Sequence, residues 1–367
     1  MENENKDVHY GDYLQLETLL SAQVPVSGKS GKMAHDEMLF IIIHQTYELW
    51  FKQINFEIGS ICEIFAEKPL PSSRLQTVVA RFERVTEILK VLIDQIRIIE
   101  TMTPLDFMDF RDHLVPASGF QSLQFKLLEA KLGMKTAHRS DMEKCFYHSR
   151  IRLEDQKKIE AEESVPSLFE LVDQWLARMP FTKSGKFNFW NDYQKAVDAM
   201  LAQDEVIIKN NKTLDDHRKQ MELKNLEMTR LSFKNILDPK LFAEVQEAGE
   251  VRMSQGAMQS AVFINLFRDM PMLQLPYKIL SLITDIDELL TTWRQRHAIM
   301  AHRLLGTKIG TGGSSGHEYL KKTADKNRVF LDLFNLATFL LPKSKIPSLP
   351  ASVMKSLDFE YDHAKGT

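Results

Sequence analysis

Between residues 75 and 99, apolar side chains return at steps of three and four: Leu75, Val78, Phe82, Val85, Leu89, Leu92, Ile96 and Ile99. That is the spacing of one face of an α-helix, sustained over about seven turns. A stripe so narrow and so long packs nearly parallel to neighbouring helices, as in a bundle. No alternating strand pattern and no internal repeat of appreciable length accompanies it. The predicted fold class is therefore all-α, a helical bundle.

With 367 residues, the chain can bury a sizeable core, either as one large domain with an insertion or as two domains. Its 47 basic and 50 acidic residues are interspersed and leave a net charge of −3, so neither nucleic acid nor a membrane surface is expected as a partner. Two cysteines, Cys62 and Cys145, cannot build a disulfide framework and fit a reducing cytosol. The first residues are polar and acidic, unlike a signal peptide, and no apolar run approaches the ~18 residues of a membrane span. A cytosolic protein is expected.

Four regions follow from the pattern along the chain. Residues 1–34 form an N-terminal segment in which Tyr10 and Tyr13 share one face of a short helix, ahead of the turn-forming run Val24–Gly31. This segment is expected to dock on a neighbouring subunit. Residues 35–190 and 256–342 are read as the helical core. The lysine- and glutamate-rich stretch 191–255 is read as a small protruding helical subdomain, and 343–367 as a tail.

Within the core, His35 to Ala66 reads as a helix buried on most sides, on which Phe40 and His44 lie one turn apart and can line one cavity. His35 and Glu37 point in nearly opposite directions on such a helix and cannot grip one ion. Thr103–Pro104 caps a further helix carrying Phe107 and Arg111 one turn apart. The break Pro116-Ala-Ser118-Gly119 follows, before the chain resumes through Phe125 to Gly133. An arginine beside a phenylalanine and a Ser-Gly break suits a pocket that grips a carboxylate while packing an apolar group.

The most informative stretch is 293 to 316. A helix beginning after Pro276 is predicted to run to Leu305, with Gly306 as its left-handed cap. Its stripe reads Ile279, Leu282, Ile286, Leu289, Trp293, Met300 and Leu304, and His297 falls on it. Such an imidazole is either a core histidine bonded to a carbonyl or an axial ligand to a metal or haem. His302 lies off the stripe. The loop Gly310–Gly316 follows a helix and lacks the lysine of a phosphate loop, so it reads as a flap able to order over a ligand. A last buried helix is predicted over Asp325 to Leu341.

Seven segments, in order, resemble the tryptophan 2,3-dioxygenase family. They are Tyr-Gly-Asp-Tyr-Leu at 10–14, His-Asp-Glu-Met-Leu-Phe-Ile-Ile-Ile-His-Gln at 35–45, Glu-Leu-Trp-Phe-Lys-Gln at 48–53, Pro-Leu-Asp-Phe-Met-Asp-Phe-Arg at 104–111, Pro-Ala-Ser-Gly-Phe-Gln-Ser-Leu-Gln-Phe at 116–125, Trp-Arg-Gln-Arg-His at 293–297 and Gly-Thr-Gly-Gly-Ser-Ser-Gly at 310–316. Each is weak singly; the ordered set is specific. It runs from residue 10 to about 342, with 134–255 matching only loosely. Met38 stands where many relatives carry a further histidine, and Phe107 where some bacterial members carry tyrosine.

The resemblance implies a cytosolic haem enzyme, a homotetramer that opens the indole ring of L-tryptophan with O2 to give N-formylkynurenine. It implies haem b, ferrous in the active state, held by His297, with His44 as the distal histidine that accepts the indole N–H. Phe40, Phe107 and Phe125 match aromatic walls, Arg111 the carboxylate-binding arginine, and Thr311 the flap residue that meets the ammonium group. Ser118 and Gly119 correspond to pocket residues near the haem, and Tyr10 and Tyr13 to tyrosines from a neighbouring subunit. On the residues alone, a haem-binding sensor or gas carrier is the alternative, which a zwitterion-binding Arg111 and Thr311 speak against.

Overall fold

The structure, a computed structural model, describes residues 7–136, 151–184, 187–306, 308 and 327–359. Thr311 and the 310–316 flap lie outside the described residues, as does Cys145.

Long packed helices form the axis. Helix α4 (Leu75–Ile99) buries the whole of its predicted stripe, from Leu75 to Ile99. It lies along α13 (Pro271–Leu305) and against α3 (Asp36–Ala66). Each such side chain, removed from water, contributes about 1.5–3 kcal/mol before chain entropy is set against it. Around this axis stand α5 (Pro104–Leu114), α6 (Leu123–Leu132), α7 (Leu153–Glu163), α8 (Leu168–Ala177) and α12 (Gln255–Leu266). The short helices α1 (Tyr10–Tyr13) and α2 (Leu16–Leu20) precede it. A hairpin of two-residue strands, Lys183–Ser184 and Phe187–Asn188, leads into α9 (Phe189–Asn210). Helices α10 (Asp216–Leu237) and α11 (Pro239–Glu247) complete the 191–255 region. The roots of this region join the main core through Tyr193, Val197, Leu201, Phe233 and Phe242.

Local chemistry sets the boundaries that position the site. Thr103 and Asp106 form a reciprocal capping box at the start of α5, with Pro104 in its first turn. Ser122 caps α6 by accepting the Phe125 N–H. Glu37, buried in the first turn of α3, accepts the backbone N–H groups of Val26 at 2.7 Å and Ser27 at 3.0 Å. Burial alone would raise its pKa, but these bonds, the Ser27 hydroxyl and nearby His113 together lower it. Glu37 is thus a structural carboxylate that ties the 24–31 segment to α3.

Three expectations are corrected. Helix α13 starts at Pro271, not after Pro276, because Pro271 takes the N-terminal position where no N–H is needed; Pro276 is accommodated inside the helix. Gly306 does end the helix with a positive φ of 59°, but with a ψ of −134° rather than the left-handed helical value. The helix predicted over 325–341 is only Leu331–Phe334 (α14) followed by a 3-10 segment, Asn335–Phe339. The reason is tertiary: Asp287 of α13 accepts the N–H groups of Val329 (3.0 Å) and Phe330 (3.2 Å), and Asp332 accepts those of Arg252 and Met253. The Val329 and Phe330 N–H groups committed to Asp287 cannot join a helical ladder, while Asp332 pins the segment to the backbone at Arg252 and Met253. In addition, α3 is less enclosed than its sequence implies. Ile42, Leu49 and Phe56, seven residues apart, form an exposed apolar stripe on this chain.

Candidate active site

The site is built where α3, α5 and α13 meet. From α3, Phe40 and His44 project together, their ring centroids 4.1 Å apart. The His44 Nδ1–H donates to the Phe40 carbonyl at 2.6 Å. A carbonyl only accepts, so Nδ1 carries the proton and Nε2 keeps the lone pair. Burial lowers the pKa of His44, against a smaller opposing effect of that bond, which keeps the ring neutral.

Helix α5 supplies the rest of this wall. Phe107 and Phe110 pack edge to face at 5.4 Å, and both meet Phe40, at 5.7 and 5.5 Å. Arg111 follows in the last turn with its side chain only 17% exposed, and the carboxylate of Asp112 stands 3.9 Å away at the edge of ion-pair range. A guanidinium one helical turn from Phe107, at the rim of a phenylalanine cluster, suits a ligand carboxylate.

On the other side stands His297 of α13. Part of its ring surface is accessible, yet protein surrounds it closely enough for desolvation, with a smaller push from His44, to bring its pKa down to about 4. Among the described residues no side-chain hydrogen bond engages this ring. Trp293, one turn earlier, stacks on it at 5.4 Å and 15°. Behind Trp293 come Phe51 (5.5 Å), Phe125 (5.2 Å) and Tyr47 (5.9 Å). Arg294 is buried against Glu129 of α6 (3.1 Å) and donates to the Asn327 carbonyl (2.9 Å), so the helix bearing His297 is braced from two directions.

The donor set fits haem. Two neutral imidazoles on opposite helices sense each other electrostatically, and among the described residues no group of three or more His, Cys, Asp or Glu could enclose a bare metal ion. An iron held by His297 alone would need its other ligands from a macrocycle such as haem.

The predicted residues do not all gather here. Phe40, His44, Phe107 and Arg111 stand together, while Phe125 packs in the Trp293 group. Ser118 caps a 3-10 turn, Gly119–Gln121, at which a side chain on Gly119 would meet nothing within 4 Å. Tyr10 and Tyr13 are 74% and 75% exposed on this chain. His302 is exposed. Sequence reasoning overlooked Phe110, Tyr47 and Arg294; Phe110 was recoverable as the residue three beyond Phe107, whereas the burial of an arginine in Trp-Arg-Gln-Arg has no sequence signal.

The model of the tryptophan 2,3-dioxygenase family matches residues 1–340 of this chain. The chain belongs to the tryptophan 2,3-dioxygenase family. Its relatives of that name include one from Alteromonas mediterranea, 49% identical over 351 residues, covering 96% of this chain and 97% of that protein. Another, from Bdellovibrio bacteriovorus, is 47% identical over 354 residues, covering 96% and 99%. A third, from Dictyostelium discoideum, is 47% identical over 357 residues, covering 97% and 89%. Membership of this family makes the chain an enzyme, a dioxygenase, and agrees with its all-α fold. Among the described residues no helix is long and apolar enough to cross a membrane.

Proposed function

We propose that the protein inserts both atoms of O2 across the indole C2–C3 bond of L-tryptophan, giving N-formyl-L-kynurenine, with haem b held by His297. The observation that carries this reading is the pair of desolvated imidazoles, one tied through Nδ1 and one unbonded among the described residues, beside an arginine at the rim of a phenylalanine wall. A gas carrier or sensor has no use for a carboxylate-binding Arg111.

Bound there in its ferrous form, the haem would supply dioxygen binding and the redox chemistry. The chain supplies orientation and exclusion of water. Arg111 fixes the substrate carboxylate by a charge-assisted pair, and Phe40 and Phe107 flank the indole. His44 accepts the indole N–H at Nε2, the nitrogen left free by its bond to Phe40. It orients and does not deprotonate, because an indole N–H is far too weak an acid for imidazole. Thr311, by resemblance, meets the ammonium group, with Ser118 and Gly119 near the haem and Phe125 supporting the aromatic wall from the Trp293 side.

The exposed Tyr10 and Tyr13 support a homotetramer in which a neighbouring subunit receives them, and the exposed stripe on α3 offers apolar surface for assembly. We place the enzyme in the cytosol, in keeping with Cys62 as a free thiol. The deciding experiment is the absorption spectrum of the pure protein before and after adding tryptophan under air. A haem Soret band and accumulation of formylkynurenine are expected; a colourless protein, or a coloured one without turnover, would overturn the proposal.

A further inference from the structure

Resting on the reading of His297 as the axial ligand, we propose that Trp293 and Tyr47 form one positioning unit behind it: the indole holds the plane of the imidazole, and the Tyr47 phenol holds the indole. The first contact is the near-parallel stack of Trp293 on His297, 5.4 Å between centroids and 15° between planes, within the range of offset aromatic pairs. Since no described residue hydrogen-bonds the His297 ring, this stack is what restrains its rotation. The indole is itself restrained on other sides by Phe51 at 86°, Phe125 at 45° and Tyr47 at 61°.

The second contact is polar. Trp293 Nε1 is a buried donor with no partner among the described residues, a position that costs about 1–3 kcal/mol if nothing relieves it. The Tyr47 hydroxyl donates to the Leu92 carbonyl of α4 at 2.9 Å, which leaves its oxygen lone pairs to accept. The Trp293 and Tyr47 rings meet at 5.9 Å, and the indole lowers the phenol's pKa against burial, although Trp293 Nε1 makes no hydrogen bond among the described residues. A turn of the indole that points its N–H at this oxygen would close the pair. The completed relay runs from the Trp293 N–H to the Tyr47 oxygen, and from the Tyr47 O–H to Leu92. Burial, the dominant influence, pushes Tyr47 up to about 12, so the phenol remains protonated and the relay keeps one polarity. Three helices, α13, α3 and α4, are thereby joined behind one ring. Groups of this kind, which orient a metal ligand without touching the metal, govern how firmly the ligand is held.

The test compares haem-loaded enzyme with Trp293→Phe, Tyr47→Phe and the double variant. Both substitutions keep an aromatic ring; Tyr47→Phe removes only the hydroxyl, whereas Trp293→Phe removes the N–H together with the pyrrole half of the indole. Readouts are the rate of haem release to excess apomyoglobin, the iron–imidazole stretching band of the ferrous protein, and kcat and KM for tryptophan. Each single variant is expected to release haem about five- to tenfold faster, the scale of one buried hydrogen bond. The band should shift in the same direction in both, with KM unchanged and the double variant no worse than either single one. Parental release and band position in the singles, or a double variant equal to the product of the two, would overturn the unit. If Trp293→Phe does not fold, Tyr47→Phe decides alone, with faster release supporting the unit and parental release overturning it. A parent enzyme without haem would instead overturn the reading of His297, before any variant is compared.

Discussion

The two histidines have the same local setting and different surroundings. Each follows an aromatic residue by one helical turn, Phe40 before His44 and Trp293 before His297, and each is desolvated enough to stay neutral. Yet His44 commits Nδ1 to the Phe40 carbonyl, whereas the His297 ring meets no hydrogen bond among the described residues and rests against an indole. A committed ring has a fixed tautomer and one lone pair to offer a substrate N–H. An uncommitted ring, held by its face, can offer a nitrogen to a metal. On the proposed reading, the two rings share helical position and burial but differ in whether Nδ1 is already engaged.

Substitution of His297 breaks the contrast most directly, and that of Arg111 follows. His297→Ala should abolish haem binding, read as loss of the Soret band after purification; full occupancy would move the ligand elsewhere. Arg111→Ala should raise KM for tryptophan at least about thirtyfold, since losing a buried charge-assisted contact costs about 2–5 kcal/mol. An unchanged KM would remove the carboxylate role.

Acid sharpens the comparison through stability. The pKa of His297 is lowered to about 4 and that of His44 is lowered as well, so between about 6.5 and about 4 the unfolded chain binds protons that the folded chain refuses. The stability contribution is complete above about pH 6.5 and is lost as pH falls toward 4. The Tm of the haem-free protein should fall across that interval, and less steeply in His297→Gln; parallel curves would contradict the assigned burial. His44→Ala should keep its haem and lose only about five- to tenfold in kcat/KM, the scale of one orienting hydrogen bond. Loss of haem there would erase the distinction between the rings. The smallest change is expected from Thr311→Ala, which should weaken tryptophan binding more than haem retention, as paired titrations would show; the opposite order would refute its role.

Much of the fold was legible because helices are local. The stripe on α4, the Thr103–Pro104 cap, the end of α13 at Gly306 and the one-turn pairs Phe40–His44 and Phe107–Arg111 all depend on residues within a few positions of each other. Legibility failed where distant groups intervened. The 325–341 stretch has helical spacing, but Asp287, some forty residues earlier, takes its backbone donors. Arg294 looked like any surface arginine until Glu129 and the Asn327 carbonyl closed around it. Met38 to Ile43 reads as enclosed, yet Ile42 stands exposed on this chain because its face packs on nothing within it.

The order of residues by itself determined that the chain is helical, where its long helices run, and that aromatic-histidine pairs stand ready on two of them, since 3.6-residue periodicity is set by neighbours along the backbone. Only the packed molecule decided that α3 and α13 cross with Tyr47 against Trp293, that Phe125 belongs with the indole, and that two imidazoles come within electrostatic reach. Those facts depend on which side chains from remote segments share one dry interior, a condition that burial imposes and no spacing along the chain records.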